Sequence, residues 1–272
     1  MKKVFIITTI VVGIVASVAL VFFYVFSRDD AGKPFNLRVS SITSNSAIIT
    51  WQTEKEIIGK VAFNKTNEWP FLEKYFGDYA IAHDDRNLEL IVLQETAESP
   101  QKYVYTYKDD IAEKRRHHFV TLRDLEPETE YFVRIVGNYS LKDSLSFSTF
   151  PLSDVVPEVP DPAYGDVDNF ESSELDPTSG FVLYQFYPKN EDSGLKKSQF
   201  YAALINKESK WSGDFSTILD EEGNILDWNS DDYKIFVDGY TPVGDGTGYF
   251  SLDDYKPLPD LVVNVRYIQS QV

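Results

Sequence analysis

The chain has 272 residues, 43% of them hydrophobic and 15% aromatic, enough apolar material for one large core or two ordinary ones, and too much for a disordered polymer. Its formal net charge of −17, from 43 acidic against 26 basic residues, sets aside DNA and RNA as partners, because such a surface repels phosphate backbones. The absence of cysteine excludes disulfides, thiol catalysis, cysteine-bound zinc and iron–sulfur clusters, so stability has to come from packed cores or bound ions.

In chain order, residues 1–3 place Lys2 and Lys3 ahead of a run at 4–26 that carries no charge. About 20 apolar residues rising ~1.5 Å each span a hydrocarbon core of ~30 Å. Phe22, Phe23, Tyr24 and Phe26 form an aromatic belt at the end of the run, and Arg28, Asp29 and Asp30 stop it. The expectation is a signal-anchor helix at 4–26 that crosses the lipid bilayer once. The lysines before it put residues 1–3 in the cytoplasm and the rest of the chain outside the cell membrane. A signal peptide cleaved after Ala19, with Ser17 at the matching position, is the competing reading. Cleavage there would leave Leu20 to Phe26 as an apolar new N-terminus, which favours the uncleaved anchor.

After a polar linker at 27–33 the period changes to 2, and residues 34–150 read as a β-sandwich domain. Leu37, Val39 and Ile42 alternate with polar neighbours, Ser44-Asn45 turns the chain, and Ala47, Ile49 and Trp51 alternate again. Val61 and Phe63 mark a third strand. Phe119 to Leu122 leads through Leu125-Glu126-Pro127-Glu128-Thr129-Glu130 to a strand from Tyr131 to Val136, and Leu145, Phe147 and Thr149 close the domain. The run Ser46 to Trp51, the spacing Leu125-x-Pro127-x-Thr129-x-Tyr131 and the ending Ser146-Phe147-Ser148-Thr149 resemble a fibronectin type III domain. That resemblance implies Trp51 in the middle of the sandwich, Pro127 in the turn between sheets, and Tyr131 buried with its hydroxyl bonded back to that turn, a tyrosine corner.

The stretch 68–108 is longer than the resemblance allows for and holds Trp69, Phe71, Tyr75, Phe76, Tyr79, Tyr103, Tyr105 and Tyr107. Leu88, Leu90 and Val92 on one side, and the three alternating tyrosines on the other, read as strands. The rings either contact a sugar or peptide, or pack the insertion onto the sandwich. The Trp strand and the strand with His117 and His118 are also similar to the fibronectin-like domains that precede the catalytic domain of purple acid phosphatases. The rest of the chain therefore has to be searched for an enzyme.

Residues 151–163, with Pro157, Pro160 and Pro162, favour extended polyproline geometry and read as a semi-rigid spacer. Residues 164–272 again carry β signals. A strand is expected from Gly165-Asp166-Val167, a fully buried one from Gly180 to Tyr187, another from Phe200 to Ile205, and late ones around Ile235, Val237 and Leu261 to Val265. Turns are expected at Asn206-Lys207-Glu208, Glu222-Gly223-Asn224 and Gly244-Asp245-Gly246. These features predict a second β-sandwich, faintly similar to carboxypeptidase-regulatory-like or immunoglobulin-like surface modules.

The second half contains no histidine, and no blocks resembling binuclear phosphatase ligands occur. His117 and His118 are adjacent, so on a strand they point to opposite sides and do not clamp one ion. His83, beside Asp84 and Asp85, reads as an exposed turn. Asp227-x-Asn229-x-Asp231-Asp232 spaces its oxygens like the start of a calcium loop, with Asp238 where a bidentate acid would stand. Asp232 in place of the turn glycine leaves a solvated acidic turn as the other reading. Asn64-Lys65-Thr66 and Asn138-Tyr139-Ser140 are glycosylation sequons.

The fold class expected is therefore all-β, an N-terminal transmembrane helix followed by a fibronectin type III-like and an immunoglobulin-like sandwich. The function expected is a non-catalytic, membrane-anchored surface or adhesion module meeting a protein or glycan ligand, with no cofactor apart from the calcium considered above. A structural subunit of a cell-envelope assembly and a divergent extracellular hydrolase are the alternatives.

Overall fold

The structure, a computed structural model, describes residues 32–67, 79–93, 102–108, 110, 112–136, 145–152, 159–168 and 180–265. The anchor expected at 4–26, most of the spacer, the rings Trp69, Phe71, Tyr75 and Phe76, and the sequon at Asn138 lie outside them. Among the described residues no helix is long and apolar enough to cross a membrane.

Among the described residues the first half holds nine strands: β1 (Phe35–Ser40), β2 (Ala47–Ile57), β3 (Lys60–Asn64), β4 (Ala80–His83), β5 (Leu88–Leu93), β6 (Lys102–Tyr107), β7 (Arg115–Leu122), β8 (Glu130–Ile135) and β9 (Leu145–Ser148). They form a three-stranded sheet β1-β2-β7, a four-stranded sheet β4-β3-β8-β9 and a separate hairpin β5-β6. Every pairing is antiparallel. The alternation predicted from sequence sets the faces. Ala47, Ile49 and Trp51 from β2, Val120 and Leu122 from β7, and Tyr131, Val133 and Ile135 from β8 are all buried in one core between the two sheets. The described strands of these two sheets, three facing four, make a β-sandwich.

The second half adds β10 (Pro162–Asp168), β11 (Phe181–Pro188), β12 (Tyr201–Leu204), β13 (Lys210–Asp214), β14 (Tyr233–Tyr240), β15 (Gly244–Ser251), β16 (Leu258–Val262) and β17 (Asn264–Val265). A sheet β13-β10-β16 faces a sheet β12-β11-β14-β15-β17 across a core that includes Tyr184, Phe186, Trp211, Phe215, Ile235 and Val237. The pairing of β10 with β16 is parallel, which departs from the all-antiparallel pattern of immunoglobulin-type sandwiches.

Two expectations are corrected here, and one strand had none. Gly244-Asp245-Gly246 is not a turn: it opens β15, paired with β14 along its length, and the reversal falls at Thr241–Gly244, where the Thr241 hydroxyl donates to Gly244 O at 2.7 Å. Pro162 belongs to a strand, at its first residue, where a missing N–H is tolerated. β13 has no expectation behind it, because Lys210-Trp211-Ser212-Gly213-Asp214 offers only one large apolar side chain to the alternation.

The two halves stack sheet on sheet. On the side of β1-β2-β7 that faces away from its own core, Phe119 and Ile48 meet Phe181, Leu183, Tyr240, Phe200, Ala202 and Leu204 of the five-stranded sheet. Polar groups complete the contact. Ser41 N–H donates to Phe200 O at 2.7 Å. The Gln199 amide pairs with both backbone groups of Ile42, accepting at 2.7 Å and donating at 2.9 Å. Arg38 lies over the Phe200 ring at 5.1 Å. Gly223 (φ +86°) lets the Phe150 ring close on its turn, since a Cβ there would come within 2.5 Å of that ring.

Candidate binding surface

Trp51 is fully buried and stacks on His118 at 4.6 Å between ring centroids. Tyr131 is buried against Phe147, and its hydroxyl accepts from the Glu126 N–H at 2.9 Å; Pro127 sits in the adjoining turn, its carbonyl accepting from the Thr129 hydroxyl. These three residues organise the core of the first half.

His83, Asp84 and Asp85 do not form an exposed turn. Asp84 is 1% exposed, held by both nitrogens of the Arg86 fork (2.8 and 2.7 Å) and by the Phe119 N–H at 3.1 Å. Asp85 accepts from the Thr121 N–H and hydroxyl, and Arg86 donates to the His117 carbonyl. β7 is the edge of its sheet, so these side chains bond the outward-facing N–H and C=O groups that no further strand pairs. Burial alone would raise the Asp84 carboxyl, but the Arg86 guanidinium outweighs it and holds the group below its usual range.

His117 and His118 point to opposite sides as expected, and both are buried. The Thr53 hydroxyl donates to Lys55 O at 2.6 Å, so in its contact with His118 Nε2 at 3.2 Å it has to accept, which puts the imidazole proton on Nε2. Nδ1 then carries a lone pair 3.9 Å from Asp84. Burial pushes the His118 imidazole down to about 3, against the pull of Asp84. This is a neutral structural histidine filling the space beside Gly59, where a Cβ would reach its Nδ1 at 2.6 Å.

The loop considered for calcium is divided. Asp227, Asn229 and Asp231 are exposed ahead of β14, and Asn229 Oδ1 is occupied by the backbone N–H groups of Asp231 and Asp232. Asp238 lies five residues into β14 from Tyr233, roughly 17 Å along an extended strand, and accepts the Tyr240 hydroxyl at 2.5 Å at the contact between the halves. Burial raises the Asp238 carboxyl, opposed by Tyr240 and Arg38. Asp238 is thus corrected from a partner of that loop to an interface residue. Among the described residues no group of three or more His, Asp or Glu is placed to hold a metal ion.

Of the aromatic insertion, the described part is the β5-β6 hairpin. It is tied down by Tyr107 stacked on His83 at 3.8 Å and by Arg123 over the Tyr105 ring at 4.2 Å, Arg123 itself bonding Asp85. Leu90 and Tyr105, paired across the hairpin, remain half exposed.

A second aromatic surface lies elsewhere. The outer face of the five-stranded sheet is covered at one end by the first half, and its other end presents Tyr187, Phe236 and Tyr249. Their ring centroids lie 5.0 to 6.1 Å apart. Tyr249 is 57% exposed, with Lys234 at 4.5 Å from its ring centroid. Tyr187 continues into a groove of about 470 Å³ whose apolar wall includes Pro188 and Leu195, rimmed by the ion pairs Lys196–Glu222 and Lys197–Glu221. That volume lies within the usual range for ligand sites. The strip suits contact through rings, apolar wall and paired charges. Sequence reasoning missed it, though Lys234-x-Phe236-x-Asp238 and Thr247-x-Tyr249-x-Ser251 carry a signal: an aromatic ring in the polar phase of a strand.

No protein-family model and no curated protein matches the chain. Among solved structures, a computationally redesigned β-sandwich protein is 22% identical over 45% of this chain and 94% of its own, with a TM-score of 0.23. The FN1-FN3 domains of chicken CNTN1 are 15% identical over 85% of this chain and 66% of theirs, with a TM-score of 0.24. The all-β sandwich assignment rests on the strand order and the cores, not on these superpositions.

Proposed function

We propose that the chain is a membrane-anchored, non-catalytic module of the cell surface, a fibronectin type III-like sandwich backed by a second sandwich, which meets a protein or glycan ligand. The observation that supports this most directly is the aromatic strip Tyr187–Phe236–Tyr249, part-buried at Tyr187 and Phe236 and exposed at Tyr249, continuous with its groove, on a sheet whose other end is already buried. Soluble domains seldom leave joined aromatic surface open without a partner for it. The uncharged run at 4–26 supports the anchor, and the acidic surface suits solubility outside the cell.

The test is in two parts. Intact cells treated with protease should lose the region 32–265 while the segment at 4–26 stays in the membrane fraction; protection of the whole chain would end the surface reading. On arrays of immobilised glycans and envelope proteins, Phe236→Ala with Tyr249→Ala should reduce retention at least about tenfold, the loss expected when two aromatic anchors are removed. Unchanged retention would move the contact away from this strip. Assembly of the chain with copies of itself in membrane extracts, abolished by the same pair of substitutions, would favour an envelope-assembly subunit.

A further inference from the structure

A second cleft, of about 280 Å³, opens where the two halves meet and is lined by Glu56, Lys114, Arg115, Arg116, His117 and, from the second half, Pro242. It lies at the start of β7 and away from the aromatic strip, and its reading is independent of the proposal above.

The chain carries 43 acidic residues, and its cations are widely taken up: Lys65 by Glu126, Arg123 by Asp85, Lys197 by Glu221, Lys256 by Asp161. In the cleft, Arg115 is occupied too, its fork donating to Asn87 Oδ1 at 2.6 Å and to the Glu113 carboxylate at 2.7 Å. Lys114 and Arg116 are exposed and have no ion-pair partner among the described residues, although Glu56 lines the same cleft. Both cations line the one cleft, so an anion bound there is attracted by two positive charges.

We infer that this cleft is a binding site for a phosphate group, clamped by Arg116 and Lys114 and seated between the halves. A guanidinium offers two parallel donors that match a phosphate edge, and an ammonium adds a point charge without demanding a fixed geometry. The cleft, about 280 Å³, has room for such a group and for more of the molecule that carries it. The source is either free phosphate or the phosphodiester of a lipid headgroup, and the experiment separates them.

The full chain, purified in maltoside micelles, is titrated at constant ionic strength with inorganic phosphate and, separately, with water-soluble dibutyryl phosphatidylglycerol, using chloride as reference. Binding is read by calorimetry and by amide shifts at residues 112–118. Saturable binding is expected with one of the two probes, weakened at least tenfold in the variant with Lys114→Gln and Arg116→Gln and unchanged in Lys207→Gln, an exposed lysine of the second half. Preference for the headgroup names a lipid source, and preference for inorganic phosphate a soluble one. Absence of saturation with both, or equal affinity in the double variant, overturns the site. Both altered side chains are exposed, so the far-ultraviolet spectrum of the double variant should match that of the wild type and exclude misfolding as the cause.

Discussion

At the scale of single residues, the most consequential group is His118. It is fully buried, and its folded pKa lies well below the ordinary histidine value of ~6.5. A group whose folded pKa is depressed binds protons in the unfolded chain first, so stability should fall as pH drops below ~6.5. Between pH 6.5 and pH 5 the expected loss from this one residue is about 2 kcal/mol. In denaturant titrations at the two pH values, His118→Phe, which keeps a ring against Trp51, should lose less stability over this interval by about that amount. Equal slopes in wild type and variant would mean that His118 takes up a proton in the folded state. The pH window matters, because Asp84 and Asp220, both held below the usual carboxylate range, surrender their contribution only at more acidic pH. Sequence alone showed that the two adjacent histidines diverge. It did not show that both are buried, since burial of His118 depends on Trp51 and Thr53 of β2 and on Gly59 of the β2–β3 connection.

At the scale of elements, the edge of β7 decides how the first half is finished. The segment Asp84–Asn87 substitutes side chains for a missing strand, with Asp84 serving Phe119 and Asp85 serving Thr121. Asp84→Ala would leave the Arg86 guanidinium, 15% exposed, without its bidentate partner and the Phe119 N–H without an acceptor. The expected cost is about 3–5 kcal/mol, as for other buried pairs broken from one side. Adding Arg86→Met should recover part of that cost, and the double-mutant cycle checks it; two independent, additive losses would contradict the pairing. Strands such as β2 and β8 were legible from alternation, because one face of each meets a core. The capping segment was not, because a run of His, Asp, Asp, Arg and Asn reads as solvated until the edge it satisfies is known.

At the scale of the whole molecule, the halves share a buried contact centred on Phe119, which is 5% exposed. They should therefore unfold together. Calorimetry is expected to show one transition for the wild type, with calorimetric and van't Hoff enthalpies equal. Phe119→Ser, which removes the ring and buries a hydroxyl in its place, should split this into two transitions and lower the first. A single unshifted transition in that variant would show that the contact contributes little to cooperativity.

The amino-acid sequence by itself determined the class of the fold and the cores of the strands, because alternation with period 2 is imposed by the backbone and survives any arrangement of partners. It also marked Trp51, through the alternation of its strand, and Tyr131, whose spacing from Leu125 and Pro127 creates the corner. Tertiary structure alone decided which outward faces stay open. Phe181 and Leu183 were legible as apolar, but their cover is the first half, whereas Tyr187, Phe236 and Tyr249 lie on the same face outside that contact, with Tyr249 exposed. It likewise separated Asp238 from the acidic turn before β14 and left Lys114 and Arg116 without an ion-pair partner among the described residues at the junction. Such outcomes depend on which segments distant in sequence come to lie against each other, and no local pattern carries that information.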